Sequence, residues 1–224
     1  MIDGYDKGLR KQLQRLGKQP VAGWKVGLTS GIGRDSMGIG FRPFGFILNE
    51  RCLKSGDSLH LAEIPGVEVE TELCFRFKVD LPPNASADEV KDSVFSVTPA
   101  FEIIQMRLGC DATEADRLAD RLSHWGIVVG TEHVLDWRDF NFSELVATLS
   151  CNGTQVETRA AAGYIDDHFH SMAALSITLA RFNRRVLAGN RVITGSYTRK
   201  RVKERGIWRG DFGEILGDVE IEFI

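Results

Sequence analysis

A chain of 224 residues, 43% hydrophobic and 26% charged, is long enough for one domain with a sizeable core. Its net charge of −3 gives no electrostatic case for nucleic acid or an anionic membrane, and no apolar run approaches the ~20 residues of a membrane span. The opening MIDGYDKGLRKQLQRLG lacks a signal-peptide core, and Cys52, Cys74, Cys110 and Cys151 form no C-x-x-C pair. These features read as reduced core thiols in a cytoplasmic protein.

Tyr5, Leu9, Leu13 and Leu16 recur at helical spacing and stop at Gly17, predicting a short amphipathic helix. GWKVGLTS predicts a strand running into a loop, and the glycine-rich GIGRDSMGIGFRPFG a mobile loop over a site. Short strands are expected at FGFILNE, DSLHL and VEVETELCFRF. Ser86 is placed to cap a helix with Val90, Val94 and Val97 on its inner face. TPAFEIIQMR reads as a further strand, and Thr113 with Asp116 as a capping box for a helix through Leu118 and Leu122. GIVVGTEHVL is expected as a strand, and Asn152-Gly153 between two alternating runs predicts a hairpin. Met172, Leu175, Leu179, Phe182 and Val186 mark the longest helix; RVITGSYT and GDVEIEFI are expected as closing strands. Many short strands, few helices and no regular β–α alternation predict an α+β, β-rich mixed fold in a single domain spanning the chain.

Four glutamates suggest chemistry. Side chains two apart on a strand share a face, so Glu68, Glu70 and Glu72 form one row of carboxylates. Glu102 lies between Phe101 and Ile103 on a strand too apolar to be a surface ribbon, and an unpaired buried charge is costly. A hard divalent cation is the simplest shared partner, and an all-oxygen site favours magnesium, manganese or calcium over zinc. An ordinary half-exposed strand with its valines inward and its charges in water gives the same alternation. Of the four, Glu72 is expected to be the one solvated or salt-bridged.

GWKVGLTS, PGVEVE, PAFEI, ADRLSHWG, the Asn-Gly hairpin and LAGNRVITGSYT, followed by a terminal LGDV strand, occur in one order. Together they resemble the 2-keto-4-pentenoate hydratase branch of the fumarylacetoacetate hydrolase superfamily. The resemblance covers roughly residues 20–224 and implies a mixed β-roll-like fold with peripheral helices. It also implies a bound Mg2+ or Mn2+, small 2-keto acid substrates and a homo-oligomer. Position by position it makes Glu68, Glu70 and Glu102 the metal carboxylates, with Lys25 and Asp120 catalytic. Leu28, Ser196, Thr198 and Arg199 then fall at substrate-binding positions. The chain departs from the family pattern in a short helical segment before GWKVG (about 1–20), in Arg121 where Asn is usual, and in RPFG for P-D-F-G. The cations Arg199, Lys200, Arg201, Lys203 and Arg205 are a further departure, expected as a solvated loop.

The implied activity is metal-dependent addition of water to 2-hydroxypenta-2,4-dienoate or a related 2-keto-4-enoate in aromatic catabolism. Decarboxylation of a 2-oxo-3-enedioate such as 4-oxalocrotonate is the alternative, for which an inward Arg199 would supply a fork for the second carboxylate. A non-catalytic keto-acid-binding relative or inactive subunit is a third reading. Asp166, Asp167, His168 and His170 suggest a second metal less well than they suggest the acidic start of a helix. His124 and Trp125 either line the pocket or pack beneath it.

Overall fold

The computed structural model of the protein describes residues 2–134 and 140–224. The chain runs from α1 (Ile2–Leu16) through β1 (Val21–Val26), β2 (Phe44–Leu48), β3 (Cys52–Lys54) and β4 (Ser58–Leu59) to the long strand β5 (Val67–Phe77). Helix α2 (Ala87–Ser93) leads into a second long strand, β6 (Val94–Gln105). Then come α3 (Glu114–Ala119), β7 (His124–Val129), β8 (Val146–Cys151), β9 (Thr154–Ala160) and α4 (His168–Ala180). Strands β10 (Arg191–Thr194), β11 (Thr198–Arg201), β12 (Gly206–Asp211) and β13 (Asp218–Phe223) close the chain.

Two sheets result among the described residues. The larger has the order β2-β1-β10-β5-β6-β7-β3, with β11 also paired to β5; the smaller has the order β4-β13-β12-β8-β9. Val67 and Val69 of β5 and Phe101 and Ile103 of β6 meet Leu149, Trp208, Val219 and Ile221 of the smaller sheet in one apolar layer. Fully burying side chains of this size contributes about 1.5–3 kcal/mol each. A second core packs Trp24, Phe44, Phe75 and Phe77 against Leu9 and Leu16 of α1 and Met172 and Leu175 of α4. Side chains of β5 and β6 that face away from the inter-sheet layer carry the site.

Local chemistry explains most boundaries. Both capping boxes form, Ser86 with Glu89 and Thr113 with Asp116. Asn152 and Gly153 both take positive φ, as the tight turn between β8 and β9 requires. Several boundaries differ from the sequence reading. Val94 and Val97 belong to β6, not to the helix capped by Ser86, because the twelve-residue strand gains pairing along the length of β5. The helix capped by Thr113 stops at Ala119, since Arg121, Leu122 and Ser123 all take left-handed backbone. Helix α4 lies one turn earlier than expected, with Asp167 as its cap. RVITGSYT is two strands broken at Gly195, and Arg199, Lys200 and Arg201 of the expected basic loop lie in β11. DSLHL shortens to β4, and the GIVVGTEHVL strand ends at Val129; residue 135 of that stretch lies outside the described residues. All four cysteines are free, but Cys110 is exposed rather than in the core. No helix among the described residues is long and apolar enough to cross a membrane.

Candidate metal centre and cleft

Register decides which acids meet. Paired residues of antiparallel strands share a face, and β5 aligns Glu68 with Ile104, Glu70 with Glu102 and Glu72 with Ala100. Glu70, Glu72 and Glu102 are all buried and offer oxygens within 4.8 Å of one another. They are the one such cluster among the described residues. Glu68 lies at the outer end of the row, where Arg199 Nε donates to its Oε2 at 2.5 Å. Glu72, expected to be solvated or salt-bridged, is 3% exposed, and its Oε2 has no hydrogen-bond partner among the described residues. The correction is one of depth: all three glutamates share a face, but the row runs inward from Glu68 to Glu72. Glu102 joins it at Glu70.

Lys25 reaches the cluster from β1. It lies across β10 from β5, opposite Trp24 in the strand alternation, so Trp24 enters the core and Lys25 the acidic face. Its Nζ donates to Glu102 Oε1 at 2.5 Å, and His124 Nδ1 approaches the same oxygen at 2.7 Å. Burial alone would raise the Glu102 carboxyl, but the Lys25 ammonium and the His124 ring outweigh it and hold the group at about 2. Burial, then the Glu102 charge, pushes Glu70 up to about 7 and Glu72 well above the usual carboxylate range. Burial likewise holds His124 down at about 4, so the imidazole is neutral with its proton on Nδ1 facing the ionised carboxylate.

Above this floor opens a cleft of about 300 Å³. Glu70, Glu72, Glu102 and Lys25 lie in its wall with Leu28, Ser196, Arg199, Ile104, Met106 and Leu122. Leu28 takes left-handed backbone at the turn out of β1. The Ser196 hydroxyl donates to the Thr198 carbonyl at 3.0 Å. Thr198 does not line the cleft; its Oγ1 pairs with Thr71 Oγ1 at 2.8 Å, joining β11 to β5. Asp120 does not line it either: Arg107 holds its carboxylate through Nε at 2.8 Å. Arg199 is on a strand and turned to the glutamates, with its guanidinium also 3.2 Å from Glu70.

Sequence reasoning did not single out Arg117, Ser123 or Tyr164, which also line the cleft. His124 proves to pack beneath it, against Glu102. The acidic helix start is structural: Asp167 accepts from the His170 amide, His168 lies 3.2 Å from the Tyr197 hydroxyl, and Asp166 binds Arg34 and Arg42.

The cluster fits a divalent cation. Three convergent buried carboxylates, one with an orphaned oxygen, are only partly compensated by Lys25 and Arg199, and hard oxygens suit a hard ion.

No family model matches the chain. The 2-keto-4-pentenoate hydratase of Paraburkholderia xenovorans strain LB400 is 27% identical over 183 residues, 81% of this chain and 67% of that protein. A 4-oxalocrotonate decarboxylase of Pseudomonas sp. is 27% identical over 177 residues, 79% of this chain and 68% of its own length. The chain is thus similar to 2-keto-4-pentenoate hydratases and 4-oxalocrotonate decarboxylases over most of its length. Its fold agrees: the structure of the 4-oxalocrotonate decarboxylase from Pseudomonas putida G7, complexed with magnesium and adipate, superposes with a TM-score of 0.85 at 22% identity. That superposition covers 100% of this chain and 86% of the other. The α+β fold of sheets with peripheral helices is therefore shared with that structure.

Proposed function

We propose that this protein is a divalent-cation-dependent hydratase, a carbon–oxygen lyase adding water to 2-hydroxypenta-2,4-dienoate or a related 2-keto-4-enoate in aromatic catabolism. The observation that carries this reading is the convergence of three buried carboxylates, beside a buried lysine, on the floor of an open cleft. In this reading Glu70, Glu72 and Glu102 hold the cation, magnesium or manganese by the hardness of the donor set. When bound, the ion supplies Lewis-acid charge to the carboxylate and keto oxygens of a 2-keto acid.

The remaining tasks fall to the chain. Lys25 sets an ammonium beside the carboxylates, where it favours negative charge developing on the substrate C2 oxygen. Ser196 offers a hydroxyl to the substrate carboxylate, and Leu28, Ile104, Met106 and Leu122 give the carbon chain an apolar wall that limits bulk water. Asp120, engaged by Arg107 and outside the cleft lining, does not touch substrate in this reading. The protein works in the cytoplasm as a homo-oligomer.

One observation favours the second reading, decarboxylation of a 2-oxo-3-enedioate: Arg199 and Arg117 both line the cleft and suit a second carboxylate. Water addition to 2-hydroxypenta-2,4-dienoate with Mg2+, set against CO2 release from 4-oxalocrotonate, separates the two. Hydration with little CO2 release supports the first reading. CO2 release that Arg199→Ala selectively removes supports the second, and neither activity would indicate a non-catalytic relative.

A further inference from the structure

Two residues hold Glu102 Oε1, and only one of them, Lys25, lines the cleft. His124 is fully buried and does not line it. As the first residue of β7 it is paired with Ile104, which puts its ring on the acidic face, diagonal to Glu102 across a register shift. Its Nδ1 lies 2.7 Å from Glu102 Oε1, the oxygen that Lys25 also binds. Its other ring nitrogen, Nε2, is buried without a hydrogen-bond partner among the described residues. A phenyl or leucyl side chain would fill this space without stranding a polar atom, so packing alone does not account for an imidazole here.

The backbone leading to His124 supports a built site. Arg121, Leu122 and Ser123 have φ of 58°, 54° and 66°, three consecutive left-handed residues, none of them glycine. Such conformations cost ~1–2 kcal/mol per residue and persist where surrounding structure holds a functional geometry. Here the turn ends α3, delivers Leu122 and Ser123 to the cleft wall and starts β7 with the His124 ring against Glu102. The Arg121 guanidinium lies over the Phe46 ring at 4.5 Å, which ties the turn to β2.

We propose that His124 is a positioning residue for the metal centre: its Nδ1–H fixes the Glu102 carboxylate from outside the cleft and thereby sets cation affinity. The inference rests on the ligand assignment above. Hydrogen-bond partners of metal carboxylates typically set about 10–100-fold in affinity.

The test is Mn2+ binding to the metal-stripped full chain, followed by electron paramagnetic resonance, with thermal unfolding in chelator as a control. His124→Phe should weaken Mn2+ binding by about 10–100-fold while the metal-free melting temperature holds or rises. His124→Asn, whose amide N–H takes the place of Nδ1–H, should recover most of the affinity. His124→Gln, which presents its donor at the Nε2 position, should not. Native-like Mn2+ affinity in His124→Phe, or equal affinities in the Asn and Gln variants, would overturn the inference. The Asn–Gln comparison carries the test by itself if His124→Phe does not fold. Failure of the native chain to bind Mn2+ would instead overturn the underlying metal assignment.

Discussion

Glu70 of β5 and Glu102 of β6 are direct cross-strand partners on one face of the larger sheet, and both are buried. Like charges directly opposite destabilise a sheet, and burial removes the water that would screen them. Lys25 and His124 take up Glu102, and Arg199 stands 3.2 Å from Glu70, but Glu72 is left between them with a stranded oxygen. The arrangement is an expense in folding that a cation removes.

The first expectation separates inner and outer acids. Glu72→Gln and Glu102→Gln should each abolish tight Mn2+ binding and turnover with the fold intact, since each removes a charge from the converging set. Glu68→Gln should keep the metal and shift only the Arg199 contact. If Glu68→Gln and Glu72→Gln lose metal alike, the ligand set is misassigned.

pH gives a second check. Glu70 holds its proton up to about 7 in the folded chain and Glu72 higher still, against about 4.3 for an unfolded glutamate. Rising pH therefore strips protons from the unfolded state first, so these groups stabilise the metal-free fold at low pH and that contribution is lost toward 7 and above. A cation replaces those protons, so Mg2+ should raise the melting temperature more at about pH 8 than at about pH 5.5. Equal shifts at both would argue against binding by these carboxylates.

Lys25→Met should keep Mn2+ binding measurable but lower kcat by about 10²–10³-fold at saturating Mg2+, the usual effect of removing one group that stabilises developing charge. An unchanged kcat would reduce Lys25 to a structural partner of Glu102.

Much of this was legible in the chain itself. Period-two alternation in VEVETELCFRF marked the carboxylate row, and Glu102 between Phe101 and Ile103 marked a buried acid. The third member of the cluster was not legible, because Glu68, Glu70 and Glu72 are equivalent by periodicity. Only the pairing of Glu70 with Glu102, and the depth of Glu72 beneath the rim, tell them apart. Val94 and Val97 were misread because a local helix signal ignores the strand that β5 waits to pair. His124 was ambiguous because its position follows from a left-handed turn that nothing in Arg121, Leu122 or Ser123 announces. Arg199, read within a solvated basic run, is indeed exposed, but the pairing of β11 with β5 that sets it beside Glu68 and Glu70 was not legible.

The β1–β10 contact that brings Lys25 to the site depends on one glycine. A Cβ at Gly23 would lie 1.7 Å from the Arg191 carbonyl oxygen. Gly23→Ala should therefore unfold or aggregate the protein, in contrast to Gly33→Ala, where a Cβ meets nothing within 4 Å. Comparable soluble yield and melting temperature for the two variants would contradict this packing of β1 on β10.

The most direct measurement is the position of Mn2+ in crystals of the metal-loaded protein, located by its anomalous scattering. The account expects one peak on the cleft floor within coordination distance of Glu70, Glu72 and Glu102, with Lys25 beside it and Glu68 still on Arg199. A peak coordinated by Glu68 in place of Glu72, or no peak at the three buried carboxylates, would contradict it.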